Sequence, residues 1–260
     1  MYNDLFSIGP LTVHGYGLMI AIGVLAGLFV AEARAKKRGM NSDILYYMMP
    51  FCVILGFLCA KILFCIVEFK SFLENPAGTL TGSGFVVYGG IIGGILAGYI
   101  FCKWKKLVFL DYFDIFMPSV ALAQGFGRIG CFLAGCCYGR PTESAIGIAF
   151  THSHYAPNGI KLIPTQLISS AGMFVIAGIL FYYGRKKRIP GKISALYILL
   201  YSIGRFIIEF FRNDYRGEIG ILSTSQFISL FMFAAGIVFM IVLSKKEKAV
   251  SNETTETDEA

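Results

Sequence analysis

Tyr201, Arg205, Glu209 and Arg212 are spaced four, four and three, which stacks them along one face of a helix. The residues around them, Ile193 to Phe211, are apolar enough to lie in a bilayer. There an arginine costs about 2.5 to 3.5 kcal/mol on insertion scales and is kept for a function or a buried partner. An Arg205–Glu209 ion pair is one reading and an anion site is the other, and spacing alone leaves them level. Arg128, in Gly127-Arg128-Ile129-Gly130, has no acidic residue within one helical turn. Its charge needs another helix, a backbone cluster or an anionic ligand, which favours function. A guanidinium offers a fork of donors suited to an anion.

Other candidates weigh less. His14 opens the first apolar stretch in His14-Gly15-Tyr16-Gly17, where capping or packing is the commoner role. Gly89, Gly90, Gly93, Gly94 and Gly98 allow close helix approach, and packing is the favoured reading. Gly127-Arg128-Ile129-Gly130 lacks the spacing and the Lys-Ser/Thr of a phosphate loop. His152 and His154 with Cys136 and Cys137 fit no familiar zinc spacing, so no metal and no cofactor are expected. Cys52, Cys59, Cys65 and Cys102 read as packing, and Lys61, two turns from Glu68, as a snorkelling or structural charge.

These residues need a membrane scaffold. Of 260 residues, 56% are hydrophobic and 15% charged, and the mean hydropathy of +0.66 excludes a soluble enzyme. Seven cysteines are too few for a disulfide scaffold, and the apolar surplus excludes disorder. Apolar stretches run from Leu11 to Ala33, Ile44 to Phe69, Phe85 to Cys102, Phe109 to Leu133, Ile163 to Tyr183, Ile193 to Phe211 and Ile221 to Leu243. Asn41-Ser42, Ser83-Gly84 and Pro190-Gly191 punctuate their ends. Strand alternation is absent. The expected fold is therefore an all-α polytopic membrane protein of seven transmembrane helices over 1–244, with a cytoplasmic, disordered tail at 245–260.

Basic residues set the orientation. Arg34, Lys36, Lys37 and Arg38 follow the first span, and Lys103, Lys105 and Lys106 the third. Arg185, Lys186, Lys187, Arg188 and Lys192 follow the fifth, and Lys245, Lys246 and Lys248 the seventh. Only Lys70, Arg140, Lys161, Arg212 and Arg216 lie in the opposite loops, so the positive-inside rule puts the N-terminus outside and the C-terminus in the cytoplasm. The basic excess thus belongs to cytoplasmic loops, and no nucleic-acid partner is expected. Met1 to Pro10 carries no basic residue and the first span is too long for a secretory signal, so it is expected to stay attached. This orientation brings His14, Tyr88, Arg128, Arg205 and Arg212 toward the outer leaflet, under the loop Gly135 to Leu162.

In this order and on these spans, the motifs resemble the prolipoprotein diacylglyceryl transferases of bacterial inner membranes, from Ile8-Gly9-Pro10 through Phe211-Arg212-Asn213-Asp214. The family's Gly-Arg-x-Gly-Asn-Phe-x-Asn-x-Glu-x-x-Gly signature is matched by Gly127, Arg128, Gly130, Phe132 and Gly139. Cys131, Ala134 and Cys136 stand where the family usually has Asn, Asn and Glu, Tyr88 where many members have His, and Lys61 where arginine is common. His14-Gly15-Tyr16-Gly17-Leu18, Pro164-Thr165-Gln166-Leu167 and Tyr201-x-x-x-Arg205-x-x-x-Glu209-Phe210-Phe211-Arg212 agree well.

The resemblance implies transfer of the diacylglyceryl group of phosphatidylglycerol to the lipobox cysteine of a prolipoprotein signal peptide, releasing glycerol phosphate, in the inner (cytoplasmic) membrane. It implies catalytic roles for Arg128, Arg205, Tyr88 and His14. Substrate contacts fall to Tyr16, Gly89, Gly90, Gly127, Gly130, Gly139, Gln166, Tyr201, Glu209 and Arg212. The family's histidine base is absent at Tyr88, which leaves Tyr88, His14 or the substrate phosphate to take the thiol proton. Two rivals are a non-catalytic binder or transporter of anionic phospholipid and a related transferase with another acceptor. A thiol oxidoreductase built on Cys136 and Cys137 ranks low, since adjacent cysteines form a strained disulfide. The cysteines are expected to shape the loop rather than to act as nucleophiles.

Overall fold

The computed structural model describes residues 4–8, 11–82, 84–153, 155–213, 218–219 and 221–258. Gly9, Pro10, Ser83, His154, Asp214 and Arg216, all named above, lie outside the described residues. Strands β1 (Asp4–Ile8) and β2 (Leu11–His14) form an antiparallel hairpin ahead of α1 (Gly15–Lys37). The expected first span begins at Leu11; the β-branched Thr12 and Val13 pair in a strand instead, and the helix starts at Gly15. There follow α2 (Asp43–Val67), α3 (Phe69–Glu74), α4 (Pro76–Thr81), α5 (Val87–Trp104) and α6 (Phe109–Ala134). A loop bearing β3 (Ile148–Ala149) and β4 (Lys161–Leu162) leads to α7 (Thr165–Tyr183) and α8 (Lys192–Glu209). The hairpin β5 (Glu218–Ile219) and β6 (Leu222–Ser223) precedes α9 (Thr224–Asp258).

Among the described residues six helices are long and apolar enough to cross a membrane: α1, α2, α5, α6, α7, and α9 as far as Glu247. The expected span at Ile193 to Phe211 is a helix, α8, but Lys192, Arg205 and Glu209 fall within its 18 residues and hold its apolar character down. Helices dominate as expected, and the described residues form three two-stranded antiparallel sheets, the first of them ahead of α1. The helical backbone of α9 crosses most of the segment expected as a disordered tail; Lys245 to Ala249 are strong helix formers that prolong the preceding turns. The start of α9 is a capping box: Ser223 N–H donates to Gln226 Oε1 (3.1 Å) and Gln226 N–H to Ser223 Oγ (3.2 Å).

Burial follows the demands of an apolar solvent. Phe29, Ile54, Phe57, Trp104, Val175 and Phe231 are each at least 60% exposed, while Asp114, Thr165, Gln166, Ser194 and Ser229 are buried. With no water to satisfy them, polar groups in a membrane turn inward and find partners there.

The chain divides into two compact units, 31–113 and 1–30 with 114–260. In the first, α2 and α5 pack along their length. A Cβ at Gly89 would stand 2.5 Å from the Cys59 carbonyl oxygen, so only glycine permits this approach. Lys61 of α2 donates to the carbonyls of Gly82 (2.7 Å) and Gly84 (3.1 Å) and lies over the Phe64 and Phe85 rings. Its charge is spent on holding the segment before α5, which supports the structural reading with carbonyls, not Glu68, as partners.

In the second unit, buried Asp114 of α6 holds the start of α8. Its carboxylate accepts Gly191 N–H (2.9 Å), Ser194 N–H (2.8 Å) and Ser194 Oγ–H (2.5 Å), answering the orphan donors of a helix N-terminus. Tyr197 of α8 donates to Gln124 of α6 (2.8 Å), and Ser170 of α7 to the Gly125 carbonyl (2.8 Å). Lys192 pairs with Glu247, joining α8 to α9. These polar ties fix α6, α7, α8 and α9 against each other and so position the side chains considered next.

Candidate active site

Arg205 projects from α8 with its side chain 11% exposed. Its Nη1 lies 2.8 Å from Glu209 Oε2, itself 6% exposed, and Nη2 donates to Ser225 Oγ of α9 at 2.7 Å. The Arg205–Glu209 contact is close but off the hydrogen-bonding angle, so both of its atoms keep hydrogen-bonding capacity. Tyr201, one turn earlier, stacks on Tyr197 with ring centroids 5.7 Å apart. The ionisable groups near enough to act on Arg205 are Glu209 first, then Arg212, Tyr201 and Arg128. Three arginines from α6, α8 and the segment after α8 thus share one region with a named carboxylate, and Arg212 within it is buried.

Arg128 is half-buried on α6. A Cβ at Gly127 would meet nothing within 4 Å, so packing does not explain glycine there. Gly130 faces Tyr16 and Met19 of α1, with a Cβ distance of 3.1 Å to the Tyr16 ring. Tyr16 lies in the electrostatic range of Arg128 and of Cys131, Cys136 and Cys137, and its side chain is exposed.

The turn after α6 ties three helix ends together. Gly139 N–H donates to the Ile163 carbonyl (3.1 Å), Arg140 N–H to Phe211 (2.9 Å), Ile163 N–H to Arg140 (3.0 Å) and Asn213 N–H to Tyr138 (3.3 Å). Gly139 forms a bridge with Arg212, and a Cβ on it would stand 2.6 Å from the Ile163 oxygen and 2.8 Å from that of Phe211. Gln166 Nε2 donates to the Cys136 carbonyl (2.7 Å) and Thr165 Oγ1 to that of Cys137 (2.8 Å). Above the turn, Phe150, Ala156 and Leu162 form a small core with Phe132 and Tyr138. A cavity of about 570 Å³ on this loop, lined by Pro141, Thr142, Glu143, Ile160 and Lys161, contains none of the three arginines.

The ligand-type group formed here is Cys131, Cys136 and Cys137, whose sulfurs all lie within 4.8 Å of one another. His152 is not part of it. Contacts with the Cys131 and Cys136 thiols, with the charge of Arg212, hold Cys137 well below the usual thiol range, while its contacts with Cys131 and Cys137, together with burial, hold Cys136 well above it. None of the seven cysteines is in a disulfide.

Tyr88, Gly89 and Gly90 open α5 in the other unit, with Tyr88 exposed. His14 is exposed at the end of β2. Sequence reasoning passed over Ser225 and Gln124, and quoted Thr165 only within the Pro164-Thr165-Gln166-Leu167 motif. Their signal was available: each is a polar side chain in an otherwise apolar helix, and in a membrane such groups mark internal contacts.

The sequence profile of the family described as Prolipoprotein diacylglyceryl transferase matches residues 3–242. A phosphatidylglycerol–prolipoprotein diacylglyceryl transferase of Clostridium tetani is 49% identical over 94% of this chain and 98% of its own length. One from Clostridium perfringens is 44% identical over 94% and 96%, and one from Finegoldia magna 34% identical over 93% and 95%. With the arginine cluster and the clamped turn in place, the match along nearly the whole chain makes this protein a member of the prolipoprotein diacylglyceryl transferase family.

Proposed function

We propose that this chain transfers the diacylglyceryl group of phosphatidylglycerol to the lipobox cysteine of prolipoprotein signal peptides. The thiol sulfur attacks the glyceryl carbon that carries the phosphate; a C–S bond forms as the C–O bond breaks, and glycerol phosphate leaves with the bonding pair. The thiol proton goes to Tyr88, His14 or the departing phosphate. The observation that carries the reading is the gathering of Arg128, Arg205 and Arg212 in half-buried surroundings, where positive charge is stable once an anion completes it. Arg128 and Arg205 hold the lipid phosphate and stabilise the charge that grows on it, and Arg212 lies nearer the headgroup glycerol. Tyr201 and Glu209 orient Arg205. Tyr16, Gly127 and Gly130 line the lipid approach, and Gly139 and Gln166 fix the turn that carries it.

The protein spans the inner membrane seven times in this reading, with α8 as the charged span, the N-terminus outside and the C-terminus in the cytoplasm. Lys105 over Trp104, Arg185 over Tyr182 and Arg188 over Tyr183 are aromatic and basic pairs of the kind that sit at a membrane interface. The test is turnover of labelled phosphatidylglycerol with a lipobox peptide, read by mass. A peptide gaining one diacylglyceryl group, with glycerol phosphate released in equal amount, is the expected result. Lipid that stays bound and unchanged would refute transfer.

A further inference from the structure

The turn that follows α6 holds more sulfur than lipid transfer requires. Cys131 sits on the last turn of α6 and Cys136 and Cys137 follow it, with all three Sγ atoms within 4.8 Å of one another. We propose that Cys131, Cys136 and Cys137 form a three-thiolate site for a soft, thiophilic cation, Cu(I) by preference.

Two further observations support a built site. Adjacent side chains on extended backbone point to opposite faces, so vicinal cysteines do not ordinarily converge. Here Cys137 adopts the left-handed conformation, φ 63, which turns its side chain toward that of Cys136. A non-glycine residue held there stores strain, and such outliers collect at ligand clamps. The carbonyls of both residues are fixed from outside the cluster by Gln166 and Thr165, so the turn is held without using the sulfurs.

Distances suit a metal. A cation bound to sulfur at about 2.3 Å places its sulfurs roughly 3.8 to 4.0 Å apart, which these three reach by drawing together less than an ångström. Thiolate sets select Cu(I) and Zn(II) among common cations. Three sulfurs complete a trigonal Cu(I) site but leave Zn(II) one ligand short. Charge points the same way. Three thiolates with Cu(I) carry two negative charges, and Arg128 and Arg212 lie in electrostatic range of Cys131 and Cys137 respectively. Uptake by three thiols releases their protons to solvent.

The experiment uses the full chain in detergent, reduced and freed of metal, titrated with Cu(I) in the absence of air against a chromogenic chelator, and separately with Zn(II). One Cu(I) per chain, held by three sulfurs in X-ray absorption and more tightly than Zn(II), is expected. Cys136→Ser with Cys137→Ser should weaken Cu(I) binding by more than about 100-fold, beyond the roughly 10- to 100-fold that loss of an outer partner brings. Cys52→Ser with Cys102→Ser should leave it unchanged. The sulfur count of the unaltered protein needs no variant to fold; circular dichroism verifies the variants. Binding through fewer than three sulfurs, binding retained without Cys136 and Cys137, or preference for Zn(II) would overturn the proposal. None of these readouts depends on lipid transfer.

Discussion

Replacing Arg205 and Glu209 together separates what the pair does for the fold from what the arginine does for the reaction. Glu209 is buried, at 6% exposed, and Arg205 is largely covered, at 11%. Arg205→Met alone leaves Glu209 without its ion partner and should destabilise the protein by about 3 to 5 kcal/mol. Arg205→Met with Glu209→Met removes both charges at similar volume, an exchange that is often neutral. Ser225 then loses the Arg205 donor, worth about 1 kcal/mol, so the double variant should unfold within roughly 2 kcal/mol of the parent. Transfer should not recover with stability. Loss of a preorganised donor costs about 2.7 to 4 kcal/mol of transition-state stabilisation, or 10²- to 10³-fold in rate. Thermal unfolding in detergent by circular dichroism gives the first quantity and diacylglyceryl transfer to a lipobox peptide the second. A stable double variant working within tenfold of the parent would refute a catalytic role for Arg205.

Arg128→Ala should abolish transfer without loss of membrane insertion, whereas Lys61→Gln, at a side chain bonded to the Gly82 and Gly84 carbonyls, should do far less; near-normal turnover in Arg128→Ala removes it from the mechanism. Gly127→Ala should fold normally, since its Cβ meets nothing, and raise KM for lipid. Gly139→Ala should cost about 1 to 3 kcal/mol by forcing the Ile163 and Phe211 carbonyls apart, and equal melting temperatures for the two variants would contradict this packing. In a cysteine-free background, a cysteine placed between Thr142 and Pro157 should react with an impermeant thiol reagent in intact cells and one after Lys245 should not; the reverse pattern would invert the topology. Cys131→Ser, and Cys136→Ser with Cys137→Ser, should each keep substantial transfer, and a trapped diacylglyceryl adduct on any of these sulfurs would show an enzyme nucleophile instead.

Helix existence was legible because apolar length is a strong signal. The expected Ile44 to Phe69 and Phe109 to Leu133 agree within two residues with α2 and α6. The hairpin at Leu11 was not, since three apolar or β-branched residues, Leu11 to Val13, cannot be told from the first turn of a span by composition. Arg205 and Glu209 were paired by their spacing alone. Lys61 read as a snorkelling or structural charge with no partner assigned, because a backbone carbonyl 21 residues away leaves no trace in side-chain chemistry. The gathering of Arg128, Arg205 and Arg212 depends on how α6 meets α8, which is set by Asp114 and Gln124, polar residues whose partners only folding selects.

The cysteines show how a signature can change while its arginine stays. Cys131 and Cys136 stand where the family usually has Asn and Glu, and either change alone would leave the other polar group to find a new partner. The two positions are in contact: their sulfurs lie within 4.8 Å, and the Cys136 thiol approaches the Cys131 carbonyl at 3.7 Å. The exchange therefore falls on both ends of one contact, and the turn around it is held by backbone bonds and by Thr165 and Gln166, none of which needs the original side chains. The phosphate chemistry has no stake in that exchange, because the charge that must grow on a departing phosphate is met by guanidinium groups on α6 and α8, and those are the residues the chain keeps.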